Sequence, residues 1–381
     1  MSMRRHRIAA LVLVIAAGLA VLLTVRSAQP RRLGYVTGQI MSPPVGTAAP
    51  ARAGWVAWIE EDYLGGGGAA LHPECRLMAA RWHSRRARPA LTAPTLAGLA
   101  VFGDVAFVGQ PEGPNTQLLR LRLPSGSPEL VASTHGPVAQ IVASKDWLCW
   151  REHRPAGLPG VPFVVAGAPI NVIRACPPSG LPGQEGQVAL VTPLTGSVEL
   201  LGVSGSEVYW LERRGDGLPA QGRHASGPAG ASATTVIRRT PLPQGEPETL
   251  VTEAGSRTAA LSGDALVWTA PSLEAGEPGQ FCAVKRRPLT GGETTVIGDW
   301  LDPHCVVLAS AGGVYAQDRY HLWRLGSQRP DQRALYVVSS ALSNSSIIGD
   351  EQYTVLGTTG AQSIAARPLT WWARVRRALQ P

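Results

Sequence analysis

The chain is poor in charge and in aromatic rings: Asp, Glu, Lys and Arg make up 16% of its 381 residues, and Phe, Trp and Tyr 6%. Gly (43) and Pro (32) are plentiful instead, which supplies many turns and, with so little charge, excludes a solvated disordered chain. Lysine occurs only at Lys145 and Lys285, so arginine carries nearly all of the formal charge of +8. Those arginines are scattered as short pairs and form no stripe, which argues against a nucleic-acid groove; an anionic membrane surface or envelope polymer suits the charge better. Catalytic motifs are missing too, with no Walker-A loop, G-x-S-x-G, S-x-x-K or H-E-x-x-H. Nothing points to a catalytic residue or a cofactor. No C-x-x-C or His-x-x-x-His spacing occurs, and the short clusters at His72–Cys75 and Asp302–Cys305 would need separate sites, so no metal is expected.

One long apolar run is present. Residues Ile8 to Val25 carry no charge, follow Arg4, Arg5 and Arg7, and precede Arg26, Arg31 and Arg32. That length suits a membrane-spanning helix, which needs roughly 17–25 apolar residues, better than the ~7–15 of a cleaved signal core. The cleavage sites after it are poor and no Cys follows closely. The reading is a short cytoplasmic tail (1–7), a transmembrane anchor (8–25), a linker (26–32) and an extracytoplasmic domain, periplasmic or at the cell surface. No amphipathic helix is evident beyond Val25.

That domain is a repeat. A small turn followed by an apolar strand ending in an aromatic recurs at Trp58, Phe107, Trp150, Trp210, Trp268, Tyr315 and Tyr353. A second signature follows each: a strand with Arg, then Pro-Leu or Leu-Pro, a Gly turn and another apolar strand, as in Arg239-Thr240-Pro241-Leu242 and Arg287-Pro288-Leu289. Gly-Asp pairs such as Gly103-Asp104 and Gly263-Asp264 read as hairpin turns. Each unit is therefore a four-stranded meander (strands a, b, c, d), and strands apolar on both faces, such as Val208–Leu211, suit stacked blades. The fold class is all-β: a β-propeller over 33–370, seven blades favoured, six if the first copy is not a full blade. A two-sheet sandwich is the rival.

The Val-Tyr-Trp strand followed by Arg, Pro-Leu and Gly-Gly resembles bacterial extracytoplasmic propellers with YWTD-like or TolB-like repeats, although no unit has the full Tyr-Trp-Thr-Asp run. The resemblance implies the fold, not an activity.

The last unit lacks a d strand, and closure of the ring assigns that strand to Gly34–Ile40. A d strand starts, and a c strand ends, on the face of the a–b and c–d turns. Tether and C-terminal tail (371–381) are thus expected on that face, towards the membrane, and the b–c connections on the other. In the tail, Trp371 and Trp372 with Arg374, Arg376 and Arg377 are membrane-interface candidates, with packing on the last blade as the alternative. Three long b–c insertions, 62–73, 151–171 and 213–233, supply the binding-face candidates Arg213, Arg214, Arg223 and His224, together with the acid–imidazole pair Glu152 and His153. The arginine doublets 238–239 and 286–287 look like one repeat position. Disulfide candidates are Cys149–Cys176 and Cys282–Cys305, leaving Cys75 unpaired; five reduced core cysteines are the alternative. The function expected is a non-enzymatic recognition or scaffolding surface for an envelope protein or anionic polymer. The alternative is a propeller enzyme, a hydrolase or lyase, acting on an envelope polymer.

Overall fold

Seven antiparallel meanders, six of four strands and one of five, form a closed ring in the computed structural model, which describes residues 13–16, 18, 31–36, 39–42, 45–46, 54–62, 74–82, 84, 86–134, 136–154, 170–179, 189–194, 197–214, 234–256, 258–272, 281–310, 313–318, 321–326, 334–337, 345–348, 351–358 and 361–369. Blade 1 has Gln39–Ile40 and Val45–Gly46 both paired with Trp55–Asp62, followed by Glu74–Arg81 and Ala87–Ala93. Blade 2 runs Ala97–Phe102, Val105–Glu112, Asn115–Arg122 and Glu129–Thr134; blade 3 runs Val138–Ala143, Leu148–Arg154, Ile170–Cys176 and Ala189–Leu194. Blade 4 is Ser197–Ser204, Glu207–Arg214, Thr234–Pro241 and Glu248–Ala254, and blade 5 is Ala259–Ser262, Ala265–Pro271, Cys282–Pro288 and Thr295–Leu301. Blade 6 is Val306–Ser310, Gly313–Gln317, His321–Leu325 and Ala334–Val337. Blade 7 takes Ser345–Ile348, Glu351–Thr358 and Ala361–Pro368 from the C-terminal end of the chain and Arg31–Val36 from the N-terminal end.

The closing strand differs from the Gly34–Ile40 expected from sequence. Pairing with the last c strand begins at Arg31, opposite Ala366, and the register slips between Arg32 and Gly34. That bulge breaks the alternation of side chains, which is why the strand reads as starting later. Gln39 and Ile40 have crossed into blade 1, opposite Glu61 and Glu60, and the Ile40 amide donates to Gln362 Oε1 at 2.7 Å, tying blade 1 to blade 7.

The core is not one mass but seven apolar clusters, one in each gap between neighbouring blades. Sheets buried on both faces account for the continuous apolar b strands: Val208, Tyr209, Trp210 and Leu211 are all 0–1% exposed. The turns follow from local chemistry. At the a–b hairpins Gly103, Gly205 and Gly263 sit at φ near +60°, a conformation open to glycine and costly to other residues. The leucine of each Pro-Leu or Leu-Pro pair then has a defined task. Leu123, Leu242 and Leu289 each donate a backbone N–H at 2.7 Å to the carbonyl of Asp104, Ser206 and Asp264 in the a–b turn beside it.

The aromatic repeat proves to be two repeats out of phase. Trp58, Trp150, Trp210 and Trp268 face the preceding blade, whereas Phe107, Tyr315 and Tyr353 face the following one. Blade 4 holds both positions side by side in Tyr209 and Trp210. Neighbouring residues on a strand point to opposite faces, so a one-residue offset sends the ring into the other gap. The four blades with an inward-packed Trp are those whose b–c connection is long (63–73, 155–169, 215–233 and 272–281); the other three connect over 113–114, 318–320 and 359–360.

Among the described residues, no helix is long and apolar enough to cross a membrane. Most of 8–25, the insertions 63–73, 155–169 and 215–233 with Arg223 and His224, and the tail with Trp371, Trp372, Arg374, Arg376 and Arg377 lie outside the described residues.

Candidate functional site

The first strands of successive blades lie side by side around the axis, and they are almost free of charge. Glu199 in blade 4 is the one charged residue that any of these strands contributes. It is matched: Arg213 Nη2 donates to Glu199 Oε2 at 3.0 Å.

Charge gathers instead at the ends of the b strands, beneath the long connections of blades 1, 3 and 4. Each of these strands carries Trp-x-Glu, and the two residues, spaced by two, share a face. Glu60, Glu152 and Glu212 are 7%, 0% and 2% exposed. Buried carboxylates are costly without a hydrogen-bonding or cationic partner, and each of these has one. Trp58 Nε1 donates to Glu60 Oε1 at 2.6 Å and Trp210 Nε1 to Glu212 Oε1 at 3.1 Å. Glu212 also holds Arg214 at 2.6 Å and Arg238 at 3.3 Å, and Glu152 holds Arg174 Nε at 2.9 Å.

The sequence candidates therefore come together in part. Arg213 and Arg214 sit at the b–c end of blade 4, each bound to a carboxylate, with Arg214 half exposed and Arg213 less so. Blade 3 joins them through Arg151, whose Nη1 donates to the carbonyl of Val198 in the first strand of blade 4. Burial holds the Arg151 guanidinium below its usual pKa, and Glu199 offsets part of that.

Glu152 and His153 do not act as a pair. Alternation along the strand turns Glu152 towards blade 2, with Trp150, and His153 to the side of Arg151, towards blade 4. Burial and then the neighbouring Arg151 push the His153 pKa down, while a hydrogen bond with Asn171, directly opposite on the next strand, raises it. His153 is thus a neutral imidazole in a cationic setting, and Glu152 a structural carboxylate.

The cysteine candidates separate in the same way. Cys149 lies opposite Ala175 and Cys176 opposite Leu148, so the two thiols leave opposite faces of one sheet, into different cores. A Cys149–Cys176 disulfide is ruled out by that register. Burial pushes the Cys176 thiol up to about 12 and Cys149 higher still. Cys282 and Cys305 do meet, with Sγ atoms 2.8 Å apart between blades 5 and 6 on the b–c/d–a face, and the neighbouring thiol, then burial, raises the Cys305 pKa. All five cysteines are buried thiols in this structure.

The arginine doublets are not one repeat position. Arg238 stands opposite Trp210 and Lys285 opposite Trp268, so Arg239 corresponds to Arg286 and the doublets are offset by one residue. Arg239 and Arg287 line a cleft of about 240 Å³ between blades 4 and 5 with Leu250, Leu266 and Leu289. Their guanidiniums are already engaged, Arg239 by Glu207 and Glu248 and Arg287 by the carbonyl of Leu250. That cleft is smaller than most ligand pockets, ~300 Å³ and above, and sequence reasoning had no signal for it beyond the doublets.

Neither models of known protein families nor curated proteins match this chain. Solved structures do. An acylaminoacyl peptidase in complex with Z-Gly-Gly-Phe-chloromethyl ketone superposes with a TM-score of 0.55 at 12% identity, over 88% of this chain and 53% of that one. The likeness is one of fold. An oligogalacturonate lyase in complex with manganese gives 0.52 at 10% identity, covering 89% and 99%. TolB from Acinetobacter baumannii gives 0.41 at 12%, covering 77% and 60%, too low a score to carry an argument. The chain spans about half the length of the peptidase. The seven-bladed propeller expected from the repeats is the fold observed, and it is the fold these higher-scoring structures share over this chain.

Proposed function

We propose that this chain is a membrane-tethered extracytoplasmic propeller whose b–c/d–a face, on blades 3 and 4, presents a recognition surface to a protein of the cell envelope. The observation that carries this reading is the closing strand. It begins at Arg31 on the face of the a–b and c–d turns, opposite the last c strand where that strand ends. A tether at residues 8–25 then enters on one side of the disc, and the long b–c connections leave from the other. Function concentrates on loops held by a rigid scaffold, and the paired Glu212, Arg214, Arg238 and Glu152, Arg174 sets supply that scaffold under the two longest connections. The enzyme reading would need clustered carboxylates or imidazoles at the channel mouth. The ring of first strands offers Glu199, already bound to Arg213.

The test is photo-crosslinking in cells from a reactive side chain placed at Arg214, with Lys145 on the opposite face as the control. A discrete protein adduct from position 214, lost when 215–233 is trimmed and absent from position 145, supports the reading. The same adduct from both positions, or none from 214, contradicts it.

A further inference from the structure

Three stretches of this chain contain no acidic residue at all: 1–59, 75–103 and 352–381. They hold Arg31 and Arg32; Arg76, Arg81, Arg85, Arg86 and Arg88; and Arg367, Arg374, Arg376 and Arg377 among others. Far apart in sequence, they converge in the fold. The first supplies the closing strand Arg31–Val36, the second the c–d turn of blade 1, and the third the c strand of blade 7, Ala361–Pro368. Leu33, Ile364 and Ala366 share one apolar cluster with Trp82 and Ala87, so the corner where blades 7 and 1 meet has these basic segments side by side on the a–b/c–d face.

The balance of charge there differs from the rest of that face. Elsewhere on it four arginines have carboxylate partners: Arg120 with Glu129 at 2.6 Å, Arg122 with Asp104 at 2.7 Å, Arg239 with Glu248 at 2.8 Å and Arg286 with Asp264 at 3.4 Å, while Arg287 is held by the carbonyl of Leu250. Arg81, Arg86 and Arg88 are exposed and, among the described residues, have no carboxylate in ion-pair range. Arg81 lies over the Trp55 ring, 5.9 Å from its centroid. Arg32, on the closing strand of blade 7, is also exposed.

The apolar run ends at Val25, and the closing strand starts at Arg31. Six residues reach at most about 20 Å when fully extended. A bilayer holding that run keeps this corner within two to three Debye lengths of its surface at physiological salt.

We propose that the corner formed by Arg32, Arg81, Arg86 and Arg88 docks on anionic phospholipid headgroups, setting the propeller face-down on the membrane and aiming the b–c connections outward. The proposal rests on the anchor reading given under Proposed function. Each arginine held at an anionic surface contributes roughly fivefold to the local equilibrium, so four together favour one orientation over free tumbling on the linker.

The experiment uses the full-length protein in vesicles of phosphatidylcholine alone or of an equal mixture with phosphatidylglycerol, reading amide hydrogen exchange over residues 81–93. Slower exchange in the mixed vesicles only, reversed by high salt and by R86E/R88E, is the expected result. These two side chains are solvent-exposed, and exchange in the blade cores, unchanged in the variant, shows that it is folded. Equal exchange in both vesicles overturns the proposal. Protein that does not float with phosphatidylcholine vesicles overturns the anchor instead. The corner is then judged by flotation with the mixed vesicles, which R86E/R88E must abolish and whose absence in the parent protein overturns the proposal.

Discussion

The indole N–H of Trp210 donates to the carboxylate of Glu212, 3.1 Å away and two residues further along the same strand. Trp58 and Glu60 repeat the bond at 2.6 Å in another blade. In both, the ring fills the gap to the preceding blade, and in blade 4 the carboxylate also holds Arg214 and Arg238 below a long connection. Glu212→Ala leaves Arg238 without its carboxylate and costs about 2–4 kcal/mol of stability. E212Q, which keeps an acceptor for Trp210, costs less. Thermal unfolding followed by circular dichroism checks the order, with a drop of several degrees expected for the alanine variant.

In an oxidising compartment, Cys282 and Cys305, with their Sγ atoms 2.8 Å apart, are the pair expected to oxidise. Their two protons and two electrons pass to a disulfide-bearing oxidant, which leaves as a dithiol. Alkylation under denaturing conditions should then count three free thiols, and C305S should raise the free thiols to four, with Cys282 newly reactive. A Cys149–Cys176 crosslink in the peptide map would contradict the register described above.

His153 titrates with the opposite sign to a partnered histidine. Its folded pKa is depressed by burial and by Arg151, so the folded state resists its protonation. The resulting stability is complete above the unfolded value near 6.5 and is lost as pH falls below it. H153Q should therefore flatten the decline in stability between about pH 6.5 and pH 5. Parallel curves for the two proteins would show that His153 does not titrate there.

Ring closure depends on a single N-terminal strand. Leu33 is 7% exposed and packs with Tyr353 and Ile364. Leu33→Asp places an unpartnered carboxylate in that gap and frees the edge of Ala361–Pro368, an edge able to pair with another chain. Size-exclusion chromatography should show self-association of L33D, and a monodisperse elution identical to the parent would contradict the role of this strand.

Much of this architecture could be read from residues alone, because Gly-Asp turns and aromatic strands recur often enough to define a blade. What escaped the sequence was phase. Trp210 and Tyr209 are adjacent, both large and both buried, and only strand register decides which gap each fills. The same one-residue ambiguity made Cys149 and Cys176 look like partners, Glu152 and His153 like an acid–imidazole pair, and the two arginine doublets like equivalents. The bulge between Arg32 and Gly34 hid the start of the closing strand. The candidate face was legible as long connections, but its foundation was not. Trp-x-Glu recurs in blades 1, 3 and 4, yet nothing in the spacing says that the carboxylate is buried or which arginine across the strand neutralises it.

The most direct test of the account is the side of the membrane on which the face at Arg214 lies. With all five native cysteines buried, Arg214→Cys provides one accessible thiol for a membrane-impermeant maleimide applied to cells whose cytoplasmic membrane is intact. The account predicts labelling of the R214C protein without lysis, at a level that lysis does not raise. Labelling that appears only after the cytoplasmic membrane is broken would contradict an extracytoplasmic propeller and, with it, the envelope recognition surface.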